Sequence, residues 1–93
     1  MKLRLYARSE VVRLLRIDAD VLDRLEAEEI VRSRRGRYRL EDVERARVAS
    51  ELLELGVNPE GVAVILHMRE RWMAERRELQ SVVEALRERL LAR

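Results

Sequence analysis

The sequence predicts a mainly α-helical protein, in which one small domain with a short β-hairpin continues into a long C-terminal helix. Apolar residues recur at spacings of three and four along most of the chain, which is typical of amphipathic helices. Of the 93 residues, 47% are hydrophobic, 41% are charged and only 3% are aromatic, a composition that favours helices with charged outer faces. Glycine, proline and asparagine occur at only a few positions, and they mark the boundaries between the predicted elements.

The first part of the chain is predicted to form a short strand and two short helices joined by a turn. The segment KLRLY alternates apolar and charged residues, so we expect a short edge strand there. Ser9 followed by Glu10 indicates a helix start, and the first helix is expected over about residues 9–15. Asp18 is expected to cap the second helix with its carboxylate. The second helix should bury Leu22, Leu25 and the following Ile30, and expose Asp20, Asp23, Arg24 and Ala27, with Val21 at the border.

The segment VRSRRGRYRLEDV is predicted to form a wing, meaning a small β-hairpin beside the helices. Gly36 permits a tight reversal between two extended arms, Ile30–Ser33 and Arg37–Leu40. The third helix is expected from about Glu41 to Leu55. Its residues available for burial are Val43, Ala46, Val48, Leu52 and Leu55.

The last helix is predicted to run from Pro59 to Leu91, after a break in which Gly56 ends the third helix and Asn58 caps the fourth. A helix of this length spans roughly 45–50 Å and exceeds what so small a domain can cover. We therefore expect a domain at 1–58 and a coiled-coil dimerisation helix at 59–93, with a solitary surface helix as the alternative. The predicted homodimer seam, interrupted by Arg69 and Arg76, is Val62, Ile65, Trp72, Leu79, Val83, Leu86 and Leu90.

Charge is strongly segregated along the first half of the chain. Residues 18–31 hold six acids and one arginine, whereas residues 32–39 hold five arginines and no acid. Acids in place of cations repel a phosphate backbone, so the second helix is a poor candidate for reading DNA and a better one for binding a basic protein surface. Its predicted partner-binding residues are Asp18, Asp20, Val21, Asp23, Arg24 and Glu26. Arg34, Arg35, Arg37 and Arg39 on the wing are the candidate phosphate contacts.

Several other classes of function lack support in the sequence. Cysteine is absent, which excludes disulfides and thiolate metal sites, and no apolar run reaches the length of a membrane span. The N-terminus lacks the pattern of a secretory signal, so a cytoplasmic protein is expected. His67 is the only histidine and has no second ligand near it, and no phosphate loop or nucleophile elbow occurs. We therefore expect neither an enzyme nor a bound cofactor or metal.

The order helix–turn–helix, wing, helix, glycine break and long helix resembles the MerR superfamily of winged helix–turn–helix proteins. The resemblance covers about residues 6–66 and its set of spacings is fairly specific for that fold. The matching residues are Tyr6–Ala7, Glu10–Arg13, Ile17, Val21–Leu22, Glu26, Ile30–Val31, Arg37–Arg45, Leu55–Asn58 and Gly61–Val62.

This sequence departs from the DNA-reading members of that superfamily at identifiable positions. Those members usually carry a threonine and an arginine in the second helix, with aromatics behind them, where this chain has Val21, Asp23, Arg24 and Leu25. Arg16 stands where the family has a small turn glycine, and Glu29 stands where it has the glycine before the wing.

Two short subfamilies resemble the chain through GVAVILHMRERWMAERRELQSVVEALRERL. The chaperone-modulator type, similar to CbpM and to the factor that assembles DnaK with DnaJ, implies binding to the J-domain of a DnaJ-type co-chaperone and regulation or assembly of the Hsp70 system. The heat-shock repressor type, similar to HspR, implies a DNA-binding transcription regulator. The acidic helix favours the modulator, and the arginine wing keeps the DNA-binding alternative open. A plainer alternative is that both charged segments are only solvated surface.

Overall fold

The computed structural model describes residues 3–92 and confirms the predicted fold class, with helix as the dominant secondary structure. The first part of the KLRLY strand prediction, Lys2, lies outside the described residues. In chain order, the elements are β1 (Tyr6–Ala7), α1 (Arg8–Leu15), α2 (Ala19–Ala27), β2 (Arg37–Tyr38), α3 (Leu40–Glu54) and α4 (Pro59–Leu91).

The two short strands pair with each other across the domain, which corrects the predicted β structure. β1 lies antiparallel to β2, with Tyr6 opposite Tyr38 and Ala7 opposite Arg37. Leu3 and Leu5, which the KLRLY prediction placed in the strand, are exposed and lie outside it. They have no partner because β2 is only two residues long and α3 begins at Leu40.

The predicted first arm of the wing, Ile30–Ser33, does not form a strand. Ile30 and Val31 are buried in the core, since the chain turns inward after α2 to cover apolar surface. The wing is closed by a tight turn in which Arg34 and Arg37 exchange two backbone hydrogen bonds of 2.8 and 3.0 Å. Arg35 and Gly36 at the tip both have positive φ, as a type I′ turn requires.

The break before α4 forms as predicted. Gly56 has a φ of +92° after the end of α3, a conformation that favours glycine. Asn58 accepts a hydrogen bond of 2.8 Å from the backbone N–H of Gly61 through Oδ1, and Pro59 occupies the first helical position. Asp18 occupies the N-cap position of α2, but its carboxylate makes no capping hydrogen bond, so that part of the prediction is wrong.

The core lies where all four helices meet the wing. Among the predicted residues of α3, Val43 and Ala46 are buried and Val48 and Leu52 are half-buried, whereas Leu55 is 80% exposed at the helix end and was predicted wrongly. Within residues 3–92, the buried residues are Val11, Leu22, Leu25, Ile30, Val31, Tyr38, Val43, Ala46, Ala49, Val62 and Leu66.

Helix α4 both completes this core and extends beyond it. Val62 is fully buried inside the chain, which corrects its assignment to the seam, because it cannot also contact a partner. Arg45 of α3 holds the first half of α4 by pairing with Glu70, and its Nε donates to the carbonyl oxygen of Ile30 at 2.9 Å. The division into a domain at 1–58 and a dimerisation helix at 59–93 therefore remains a prediction. It concerns the part of α4 that projects beyond the core. The protein measures 58 Å along its longest axis.

Among residues 3–92, three non-glycine residues have positive φ, and two of them are Arg16 (φ 53°) and Glu29 (φ 57°), the positions at which the resemblance to the MerR superfamily implies a glycine. A left-handed backbone conformation destabilises a residue with a side chain by about 1–2 kcal/mol. Glycine avoids this strain, but its greater conformational entropy in the unfolded state offsets part of the gain in stability. We expect Arg16→Gly and Glu29→Gly each to raise the free energy of unfolding by about 0.5–1 kcal/mol, measured by urea denaturation.

The matched control is Arg13→Gly in α1, where helical backbone makes glycine unfavourable by about 1 kcal/mol. If all three substitutions destabilised the protein equally, the left-handed conformations at Arg16 and Glu29 would be wrong.

Candidate functional site

Helix α2 is the element that carries the acidic surface, and its buried residues fix which way that surface points. Leu22 and Leu25 are completely buried, so the helix is held in one rotation about its axis. The crest of α2, meaning the line of residues farthest from the core, is therefore formed by Asp20, Arg24 and Ala27, all of which are exposed. These are three of the four residues of the predicted outer face, and the fourth, Asp23, is also exposed.

One flank of α2 is tied to α1 and β2 through Arg8. The guanidinium of Arg8 pairs with Asp23, lies 3.4 Å from a carboxylate oxygen of Glu26, and donates to the hydroxyl of Tyr38 at 3.2 Å. It also donates to the carbonyl oxygen of Ala19 at 3.2 Å. The Tyr38 hydroxyl in turn donates to Glu26, so one arginine joins two acids and a buried phenol.

Through this network, two of the predicted partner-binding acids make contacts inside the domain. The side chain of Glu26 is only 29% exposed, and its carboxylate already serves Arg8 and Tyr38. Asp23 is 64% exposed but is paired with the same arginine. Of the six acids in residues 18–31, four make no ion pair within residues 3–92, namely Asp18 and Asp20 at the start of α2 and Glu28 and Glu29 just after its end. The unpaired acids therefore lie at the two ends of α2, and the Arg8 network lies between them.

Arg8 and Tyr38 were not among the predicted site residues. Arg8 meets its acids across 15 and 18 positions of sequence, so no local spacing identifies the contact. Tyr38 is 1% exposed, although Arg37 and Arg39 on either side of it are exposed, and no role in a site was predicted for it from the sequence.

The wing forms the opposite kind of surface. Arg34, Arg35, Arg37 and Arg39 are all exposed, and Arg32 precedes them. Within residues 3–92 none of these five side chains takes part in an ion pair. The backbone N–H of Arg39 donates to Asp42 at 3.0 Å, which caps α3 and leaves the guanidinium outside the cap. One small domain therefore carries unpaired acids at the start of α2 and, within residues 3–92, a wing whose arginines make no ion pair.

These elements have the order and arrangement of a winged helix–turn–helix protein. The model of one protein family, described as MerR HTH family regulatory protein, matches residues 4–69. The chain belongs to the MerR family. The match extends from just before β1 into the first third of α4, and so includes the acidic helix, the wing and the core. Neither the curated proteins nor the solved structures gave a match to the chain.

Membership of the MerR family indicates a regulatory protein. Across residues 3–92 of this MerR-family chain, no group of three or more histidine or carboxylate side chains is arranged to hold a metal ion. His67 lies exposed on α4. In the same part of the chain, no helix combines the length and the apolar character needed to cross a membrane.

The buried phenol of this MerR-family domain gives a test of the network. Burial raises the pKa of Tyr38, and the hydrogen bond and negative charge of Glu26 raise it further, while Arg8 opposes the shift in part. A tyrosine whose pKa is raised in the folded state contributes stability that is complete below about pH 10 and is lost as the pH rises through the folded pKa. We expect the free energy of unfolding to fall with pH above about 10, and Tyr38→Phe to remove most of that decrease.

The control for this experiment is Tyr6→Phe, which removes a hydroxyl that makes no hydrogen bond within residues 3–92. Urea denaturation between pH 8 and pH 11.5 measures the free energy of unfolding of the unaltered protein and of both variants. An unchanged alkaline slope in Tyr38→Phe would contradict the assigned network.

Proposed function

We propose that this MerR-family protein is a chaperone modulator, which binds the J-domain of a DnaJ-type co-chaperone through the start of α2 and so regulates or assembles the Hsp70 system. The observation that carries the proposal is the exposed crest and N-terminus of α2. Asp18 and Asp20 lie there without ion-pair partners within residues 3–92, and the neighbouring exposed cations are Arg16 before the helix and Arg24 on the crest.

Electrostatics argue against DNA reading by this helix. A cation near a phosphate releases condensed counterions, whereas a carboxylate at the same position repels the backbone. Reading purines in the major groove needs arginine, lysine, asparagine or glutamine on the exposed face, and Arg24 alone meets that need. The pairing of Asp23 with Arg8 also occupies a cation that a DNA-binding domain would otherwise offer to phosphate. The same carboxylates favour a basic protein surface.

A J-domain fits this surface, because the resemblance to chaperone modulators implies a partner whose second helix and following loop are rich in lysine and arginine. Opposed potentials of this kind give fast association and a strong dependence on salt. If the modulator only covers the basic face, it inhibits the co-chaperone by competing with Hsp70. If it binds Hsp70 (DnaK) as well, it joins the two into one assembly.

The proposed active form is a homodimer. Beyond Val62, the predicted seam is exposed on one side of α4, and Met68 and Val82 extend it. Trp72 lies on this stripe, with the guanidinium of Arg76 stacked 5.5 Å from its ring. The seam, defined from here on by its exposed members, is Ile65, Met68, Trp72, Leu79, Val82, Val83, Leu86 and Leu90.

The second candidate is a transcription regulator of the heat-shock repressor type. The five exposed arginines of residues 32–39 favour it, since they make no ion pair within residues 3–92 and guanidiniums are suited to phosphate contact. In that case Arg34→Ala with Arg35→Ala would weaken DNA binding and reduce its dependence on salt, while the same double variant would leave J-domain binding unchanged.

Backbone chemical-shift mapping separates the two candidates. The ¹⁵N-labelled full chain is titrated first with a J-domain from the same organism and then with duplex DNA from the region upstream of its own gene. The proposal expects saturable shifts around Asp18, Asp20 and Arg24 with the J-domain. Shifts confined to the wing with DNA, and none with the J-domain, would replace the modulator by the repressor.

A further inference from the structure

A groove lies beside the start of α2, on the flank opposite the Arg8 network. Its floor is formed by Leu15, Ile17 and Val21, which are half-buried side chains that pack against the core. Asp18 borders one side, and Glu51 and Glu54 of α3 border the other. The volume of about 550 Å³ is large enough for more than one apolar side chain, and the groove is open to solvent.

Carboxylates on two sides of an apolar floor give the groove its chemical character. Asp18 is at the N-cap of α2 but makes no hydrogen bond to the helix amides, so its carboxylate remains free for another donor. Glu54 forms no ion pair within residues 3–92. Arg47, which also borders the groove, is held by Glu44 at 3.2 Å and by Glu51 at 3.3 Å. Arg16 is the other cation at the groove.

We infer that this groove is the docking site for a basic amphipathic helix of the protein partner, with an apolar side chain on the Leu15–Ile17–Val21 floor and flanking cations on Asp18 and Glu54. The inference rests on the proposed function, and it adds α3 and the α1–α2 turn to a partner surface that the sequence placed on α2 alone.

Charge complementarity and continuity select this occupant. Asp18 borders the groove and Asp20 lies in the first turn of the same helix, so two acids without ion-pair partners within residues 3–92 lie at the end of α2 where the groove supplies an apolar floor. A helix with one apolar face and basic neighbours satisfies both features at once, because it removes the floor from water and pairs the carboxylates on either side. An acidic or wholly polar partner would satisfy neither.

Binding of the J-domain to a charge-reversed variant tests the groove separately from the crest. Glu54→Arg lies in the last turn of α3, where a cation suits the helix dipole, so folding is preserved. We expect its dissociation constant for the J-domain to rise about tenfold, because the new arginine would repel the basic side chains of the partner helix. The matched control is Glu88→Arg, the same exchange near the end of α4, which we expect to stay within about twofold.

Methyl resonances provide a second readout that needs no substitution. On addition of the J-domain, the methyl signals of Leu15, Ile17 and Val21 should shift together and saturate. If the unaltered protein binds the J-domain while Glu54→Arg binds equally well and these methyls do not move, the groove inference is wrong and the modulator proposal stands. If the unaltered protein does not bind the J-domain, both fail.

Discussion

Replacing Asp20 by lysine is expected to weaken binding of the J-domain at least about tenfold, which corresponds to roughly 1.4 kcal/mol. Asp20 lies on the crest of α2, is exposed and has no ion-pair partner within residues 3–92, so its charge is available to a basic surface. A lysine there sets like charges against each other. Asp20→Asn removes the charge without reversing it, and should therefore give an intermediate dissociation constant.

Asp20 is a better test position than its neighbour Asp23. Reversing Asp23 would also break its pairing with Arg8, and a loss of binding could then reflect a displaced helix. Glu84→Lys in the projecting part of α4 is the control. It changes the net charge by the same amount as Asp20→Lys, but at a position far from α2. Circular dichroism checks that each variant is folded. Equal binding by all four proteins would remove the crest from the partner surface.

Replacing Leu79 by arginine is expected to convert the proposed homodimer into monomers, with a dissociation constant at least about 100-fold higher. Leu79 is 64% exposed and lies near the middle of the seam. In a homodimer, the Leu79 side chains of both copies would therefore be buried in the interface. Two arginines forced into the centre of an apolar interface lose their hydration without gaining partners. Sedimentation equilibrium over a range of protein concentrations measures the change.

The control for the seam is Ser81→Arg, which places the same side chain on the opposite side of α4. Ser81 is exposed and lies about half a helical turn away from the seam, so the dimer should be retained. A monomeric unaltered protein, or a Leu79→Arg variant that remains dimeric, would rule out this seam.

Local signals were sufficient to predict most of the helical framework. The Asn58 cap, Pro59 and Gly56 each act within a few residues, so the break before α4 is visible in the sequence alone. The buried Leu22 and Leu25 of α2 follow directly from helical spacing. The β structure was predicted less well, because Tyr6 pairs with Tyr38 across 32 positions and two-residue strands leave almost no pattern.

The candidate site was only partly predictable for the same reason. Counting charges identified the acidic helix, but spacing could not distinguish the exposed Asp20 from Glu26, which is bound by Arg8 and Tyr38. Part of the acid content of α2 thus has a structural role. The groove beside Val21 was not predicted either, since its two walls come from helices that are far apart in the sequence.

The most direct test of the modulator proposal is calorimetric titration of the full chain into a J-domain from the same organism, at low and at physiological salt. We predict saturable binding at both, with a clearly weaker affinity at the higher salt because exposed charges are screened over about 8–10 Å. Absence of heat at both salt concentrations would contradict the proposal and direct attention to DNA and the arginine wing.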